Sequence, residues 1–96
     1  MQPKQKRIMS LVLTKEDFEN KLLEKLREAQ EKNQSYVDIT SGDIHRSVGG
    51  YPGKDHRMPV CCDVMKELMT GKDEIIQQPP SGMGATLVIR YHLPRI

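Results

Sequence analysis

The sequence predicts one small α+β domain, with three helices, a short strand after the first helix and a two-stranded hairpin near the carboxyl end. Apolar residues recur every three or four positions in 14–33 and 59–70, which is typical of amphipathic helices. They alternate with polar residues in 85–93, which is typical of a half-buried strand. The 96 residues favour a single domain, which we place at 11–96, after a flexible basic arm at 1–10.

The first helix is predicted within LVLTKEDFENKLLEKLREAQEKNQ. Thr14 is a suitable N-cap, and Asp17 stands three residues later, as in a capping box. Lys32 and Asn33 suit the carboxyl end of a helix. One face of this helix is apolar and is expected to be buried; it consists of Phe18, Leu22, Leu26 and Ala29.

A strand is predicted for YVDIT, residues 36–40, and a second short helix for SGDIHRSV, residues 41–48. Thr40 or Ser41 can cap that helix, and Gly49 and Gly50 follow it, where glycine commonly ends a helix.

The segment YPGKDHRM is predicted to be a turn, and a third helix is predicted for PVCCDVMKELMT, residues 59–70. Pro59 fits the first turn of a helix, where its missing N–H costs nothing. By spacing, the buried stripe of the third helix contains Cys61, Val64, Met65 and Leu68.

The hairpin is predicted to rise through DEIIQQ, turn at PPSGMG and return through ATLVIRYHL. The return strand alternates, so one of its faces should be buried; that face consists of Leu87, Ile89, Tyr91 and Leu93. The glycine-rich turn, residues 79–84, is long and is expected to project from the domain.

The net charge of +2 is too small to identify a partner, but its distribution is uneven. The basic residues concentrate in the arm, around residues 44–57 and in the tail after residue 89. Two adjacent cysteines without a second pair favour a reducing compartment. No segment reads as a signal peptide or reaches membrane-spanning length. We therefore expect a cytoplasmic protein that does not contact a membrane.

The order helix, strand, helix, helix, strand, long turn, strand resembles the winged helix-turn-helix family of DNA-binding domains. The resemblance covers residues 11–94, and it implies that the third helix enters the major groove while the hairpin turn, the wing, lies along the DNA backbone or minor groove. The run SGDIHRSVGGYPGKDHRMPVCCDVM is also similar to one found in small uncharacterised bacterial proteins.

The resemblance implies a double-stranded DNA site. It would consist of Arg46, Lys54, His56, Arg57, Lys66, Ser81, Gly82, Met83 and Gly84. Arg57 is the candidate for a bidentate contact to guanine, and the other cations near the start of the third helix would hold phosphates. Lys66 is the basic residue expected on the exposed face of that helix, and Arg46 would brace the backbone. In the wing, the N–H groups of Gly82 and Gly84 would touch phosphate, and Met83 would wedge into the minor groove.

Protein–protein interaction is the alternative use of the same fold. Asp63 and Glu67 favour it, because acids on the third helix repel DNA, and Met69 and Met83 are the candidate contacts. The sequence leaves monomer and homodimer open, since a dimer and a monomer core would use the same helix stripe. A transcription regulator or a targeting subunit would both fit a non-catalytic DNA-binding domain.

Metal and thiol chemistry are the remaining possibilities, and the spacing opposes both. A zinc site would use His45, His56, Cys61 and Cys62, but adjacent cysteines on a helix diverge by about 100° and do not easily close on one ion. A cysteine nucleophile would lack an acid to orient the histidine. We expect no cofactor, no metal and no catalysis, with Cys61 in the core, Cys62 partly exposed and the histidines as surface or capping groups.

Overall fold

A computed structural model of the protein describes residues 14–49 and 57–95. The predicted arm at 1–10 and the predicted contacts Lys54 and His56 lie outside the described residues. The elements in chain order are α1 (Lys15–Glu31), β1 (Tyr36–Thr40), α2 (Ser41–Val48), α3 (Met58–Glu67), β2 (Glu74–Gln77) and β3 (Val88–His92).

The described strands form one antiparallel sheet of three strands in the order β1-β3-β2. The predicted order of helices and strands is confirmed, and the protein is a small α+β domain. The short strand β1 joins the hairpin, with Tyr36 opposite His92 and Thr40 opposite Val88. The strand that comes last in sequence, β3, is therefore the central one.

Helix α1 begins and ends as its sequence predicts. Thr14 donates its N–H to Oδ2 of Asp17 at 2.8 Å, and its hydroxyl accepts the N–H of Asp17 at 3.3 Å, which completes a capping box. At the other end Lys32 is the C-cap, and Asn33 takes the left-handed conformation with φ of 61°. The predicted apolar face is buried, namely Phe18, Leu22, Leu26 and Ala29.

The core lies between the helices and one face of the sheet. Leu87, Ile89 and Tyr91 are fully buried on the predicted face of the return strand, whereas Leu93 is half-buried. The hydroxyl of Tyr91 donates to the main-chain oxygen of Met65 at 2.8 Å, which joins the central strand to α3. This bond satisfies a polar group that burial would otherwise leave without a partner.

Helix α3 differs from its prediction in length and in its buried side. It ends at Glu67 rather than at residue 70, because Leu68 is the C-cap and Thr70 turns the chain toward Asp73. Leu68 is half-buried. Cys62 was expected to be partly exposed, and this expectation is wrong, since Cys62 is 0% exposed. None of the described helices is both long enough and apolar enough to span a membrane.

Candidate nucleic-acid interface

A buried histidine connects α2 to the start of α3. The side chain of His45 is 0% exposed, its Nδ1 lies 3.1 Å from the main-chain oxygen of Gly49, and its Nε2 accepts the N–H of Arg57 at 2.8 Å. Because a backbone N–H only donates, Nε2 is the acceptor and Nδ1 the donor, so the ring is the neutral Nδ1–H tautomer. His45 was expected to be a surface or capping group; it is buried, and its ring bonds to backbone groups at the end of α2 and the start of α3.

The imidazole bonds to backbone groups at two helix ends, the end of α2 and the start of α3. Gly49 ends α2 in a conformation that favours glycine, with φ of 117°, and Arg57 is the N-cap of α3 without a side-chain cap bond of its own. The ring of Phe18 on α1 meets the imidazole edge-on, with centroids 4.8 Å apart. His45 therefore holds Arg57 in place at the start of α3. The sequence does not indicate this role, because the partners of the imidazole are backbone groups.

The same hydrogen bond joins two elements that each carry an exposed arginine. Arg57 carries the N–H that His45 accepts, and Arg46 is the next residue along α2; both are exposed. Nη1 of Arg46 lies 3.0 Å from Oδ1 of Asp43, a pair in which both side chains are more than half exposed. Such surface pairs contribute at most about 1 kcal/mol and exchange readily with other anions. Arg46 and Arg57 are thus the exposed arginines of the predicted DNA site within the described residues, and they lie on two elements that His45 joins.

The exposed side of α3 is acidic. Pro59, Asp63 and Glu67 face solvent at helical spacing. Nζ of Lys15 lies 2.8 Å from Oε1 of Glu67, and hydrogen bonding with Glu67 raises the pKa of Lys15 above its usual value. Met69, an expected exposed contact, packs half-buried against the core.

Lys66 faces the hairpin turn rather than the exposed side of α3. Its Nζ donates to the main-chain oxygen of Gly82 at 2.7 Å and lies 3.9 Å from Sδ of Met83. A hydrogen bond from a charged donor to a carbonyl oxygen is strong, so Lys66 is already bonded within the protein. Its expected contact with a DNA groove would require that bond to break.

The hairpin turn packs against the helices and does not project. The N–H of Gly84 donates to Sγ of Cys62 at 3.2 Å, and that sulfur lies 3.4 Å from the oxygen of Gly84. The hydroxyl of Ser41 donates to the same oxygen. The turn is therefore held on α3 and on the first residue of α2, and this contact explains why Cys62 is buried.

The packed turn uses the groups that were expected to touch phosphate. The N–H of Gly82 donates to the oxygen of Pro79 at 2.8 Å, and the N–H of Gly84 donates to Cys62. The Ser81 hydroxyl donates to the oxygen of Met83 at 2.8 Å and accepts its N–H at 3.2 Å. Met83 is half-buried against the core instead of standing free as a wedge. In this arrangement Ser81 is exposed, but most donors of the turn are already bonded within the protein, so few remain for a phosphate.

Two arginines of the basic tail form internal pairs. Arg90 donates to both carboxylate oxygens of Asp38, at 2.8 and 3.0 Å, and its guanidinium carbon lies 4.2 Å above the ring of Tyr36. Arg95 pairs with Asp73 at 2.9 Å. Asp38 and Arg90 are directly opposite in the register of β1 and β3, so the pair supports strand alignment.

The cysteines act as packing residues within the described part of the chain. Sγ of Cys61 donates to the oxygen of Ser41 at 3.6 Å, and burial, helped by the neighbouring thiol of Cys62, raises the pKa of Cys61 to about 12. A thiol of that kind is not a nucleophile at neutral pH. Among residues 14–49 and 57–95 no three His, Cys, Asp or Glu side chains cluster as metal ligands would.

Comparison of the chain with protein-family models, curated protein sequences and solved structures gives no match. The candidate interface is therefore described from the chain's own geometry. The candidate cationic surface is the α2–α3 junction, where His45 bonds to the N–H of Arg57 and where Arg46 and Arg57 are exposed. The acidic side of α3 runs along the same helix, and the packed turn contacts Ser41 and Cys62.

Proposed function

We propose that this protein is a winged-helix domain that binds double-stranded DNA without catalysis, as a transcription regulator or a targeting subunit. The order of the elements and the sheet order β1-β3-β2 are compatible with that fold. The observation that carries the proposal is the hydrogen bond between His45 and Arg57, because it joins the amino end of α3, where Arg57 is exposed, to α2, where Arg46 is exposed.

The binding relies on phosphate contacts more than on base reading. The amino end of a helix carries partial positive charge and N–H groups, which suit a phosphate. The exposed side of α3, in contrast, carries Asp63 and Glu67, which phosphates repel. The junction end of α3 therefore approaches the DNA backbone, and affinity depends strongly on salt concentration.

The test is a fluorescence anisotropy titration with a random-sequence duplex at low and moderate salt. Arg57→Ala should weaken binding and lower the slope of log affinity against log salt by about one, as expected for one lost phosphate contact. Arg46→Ala should act similarly. Arg27→Ala is the matched control, since Arg27 is exposed on α1 away from the junction, and it should leave both quantities unchanged.

Backbone amide shifts show where the duplex binds. Changes in residues 41–48 and 57–61 would support the proposal, because these ranges form the junction. Absence of binding at low salt, or equal losses for Arg27→Ala and Arg57→Ala, would contradict it.

A second candidate is a winged-helix module that binds a basic protein segment. The acidic side of α3 favours it, specifically Asp63 and Glu67. A lysine-rich peptide should then bind, and the double variant Asp63→Asn, Glu67→Gln should abolish binding, with Glu28→Gln as the exposed control on α1. Binding of the duplex without the peptide would reject this candidate.

A further inference from the structure

An open cleft of about 790 Å³ lies between two segments of the chain, the loop after α3 and the segment at the end of β3. It is lined by residues 70–72 and 92–95, all of which belong to the described part of the chain. A cleft of this volume can hold a small molecule, since such sites usually measure about 300–1,000 Å³. No residue of the α2–α3 junction lines it, so the cleft is separate from the candidate DNA interface.

Each of the two segments contributes a cation to the lining of the cleft. Lys72 belongs to the loop after α3, and Arg95 follows β3. Lys72 is exposed, and its ammonium group forms no ion pair within residues 14–49 and 57–95. An ammonium group without a carboxylate partner keeps its three N–H donors for an anion. The cleft is therefore suited to a negatively charged ligand.

The carboxylate that pairs with Arg95 does not cancel this preference. The side chain of Asp73 is fully buried, whereas that of Arg95 is partly exposed. The Asp73 oxygens also accept the N–H groups of Thr70 and His92, so this carboxylate is already saturated with donors. An anion can therefore approach the exposed part of the guanidinium without meeting the acid behind it.

Gly71 adds a backbone donor to the same lining. In the part of the chain that the structure describes, its N–H donates to no other group. No atom lies within 4 Å of the position where a Cβ would stand, so the backbone is open on that side. Leu93 and Pro94 supply apolar surface to the cleft. The lining thus combines donors for an anionic group with apolar surface for an organic one.

We propose that this cleft binds a small organic phosphate. The phosphate group is held between Lys72 and Arg95 and accepts the N–H of Gly71, while the organic part lies against Leu93 and Pro94. A phosphate suits the cleft better than a carboxylate does, because its three terminal oxygens can accept donors from both segments at once.

Glu74 is the acid that should weaken this binding. Its Oε2 lies 3.9 Å from Nε2 of the lining residue His92, and more than half of the Glu74 side chain is exposed. Because like charges repel, this carboxylate disfavours a phosphate in the cleft. Removal of the Glu74 charge should therefore tighten binding, whereas removal of the Lys72 charge should weaken it.

Titration of the isotope-labelled protein with phenyl phosphate at constant ionic strength, followed by backbone amide shifts, tests the proposal. The amides of Gly71 and Lys72 should shift and saturate. Lys72→Ala should weaken binding about tenfold, as expected for the loss of one charge-assisted hydrogen bond, and Glu74→Gln should strengthen it. Arg27→Ala is the matched control and should bind like the wild type, because Arg27 is exposed on α1 and no residue of α1 lines the cleft.

Benzoate, which carries a carboxylate on the same apolar ring, tests the class of ligand. It should bind more weakly than phenyl phosphate, and equal or tighter binding of benzoate would overturn the assignment to phosphates. Shifts that do not saturate, or equal affinity of Lys72→Ala and the wild type, would overturn the site itself. The duplex titration fails or succeeds independently, since Arg46→Ala and Arg57→Ala leave the lining of the cleft unchanged.

Discussion

The guanidinium of Arg95 lies over the buried carboxylate of Asp73, with Nη1 2.9 Å from Oδ2 and 3.1 Å from Oδ1. The carboxylate also accepts the N–H groups of Thr70 and His92, both at 2.8 Å. Nη2 of Arg95 donates to the main-chain oxygen of Leu68 at 2.7 Å. The pair thereby fastens the segment after β3 to the segment after α3.

Arg95→Met should lower the free energy of unfolding by about 3 kcal/mol, because it leaves the carboxylate of Asp73 buried without its cation. The Asp73 side chain is 0% exposed and that of Arg95 is 18% exposed, so the loss is not that of a surface pair. Urea denaturation measures it, with the exposed Arg27→Met as control. A loss no larger than that of the control would contradict the prediction.

Stability should fall in acid because of the same carboxyl group. Burial alone would raise the pKa of Asp73, but hydrogen bonds from His92, Thr70 and Arg95 outweigh it and hold the pKa below its usual value. The stabilisation is complete above the unfolded pKa of about 3.9 and is lost as pH falls through the folded pKa. The difference in the free energy of unfolding between the wild type and Asp73→Asn should therefore decrease below about pH 4. If urea titrations find the same difference in unfolding free energy at every pH, the prediction is wrong.

Gly42→Ala should destabilise the protein through the contact between α2 and the hairpin turn. A Cβ on Gly42 would lie 3.0 Å from the main-chain oxygen of Ala85, which accepts the Gly42 N–H at 3.0 Å. The added Cβ would push one of these two backbone segments away by a few tenths of an ångström and weaken that bond, so we expect a loss of about 1–2 kcal/mol. Gly71→Ala is the control, since no atom lies within 4 Å of its added Cβ. Thermal unfolding should separate the two variants by several degrees.

Both thiols should be unreactive in the folded protein. Cys61 and Cys62 are 0% exposed, and burial raises the pKa of Cys61 to about 12. Labelling with a thiol reagent at pH 8 should proceed only as the chain unfolds, and fully in denaturant. Cys61→Ala should leave one slow thiol. Rapid labelling of the folded wild type would show that the hairpin turn opens readily over Cys62.

The helices and the return strand were predictable because their signals are local. Thr14 and Asp17 are three residues apart and cap α1 without help from the rest of the chain. The alternation through Ile89 and Tyr91 assigns the buried face of β3 by period alone. The short helix α2 followed from its neighbours, an extended strand before it and Gly49 after it.

The site was less predictable because its contacts span long stretches of sequence. Spacing on α3 suggests that adjacent cysteines diverge, and they do, yet both are buried because two different segments cover them. Ser41 covers Cys61, and Gly84, 22 residues away, covers Cys62. Lys66 likewise meets its partner Gly82 across 16 residues. A count of basic residues does not reveal that the ammonium group of Lys66 is already hydrogen-bonded within the protein.

The central position of β3 has a consequence for synthesis of the protein. Strands β1 and β2 leave the ribosome before the strand that separates them, and in the described sheet each pairs only with β3. No pairing between strands of this sheet can form until residues 88–92 have emerged from the ribosome. Until then the helices can pack only against one another, and the apolar surface that the sheet will cover stays exposed, which favours aggregation of the incomplete chain.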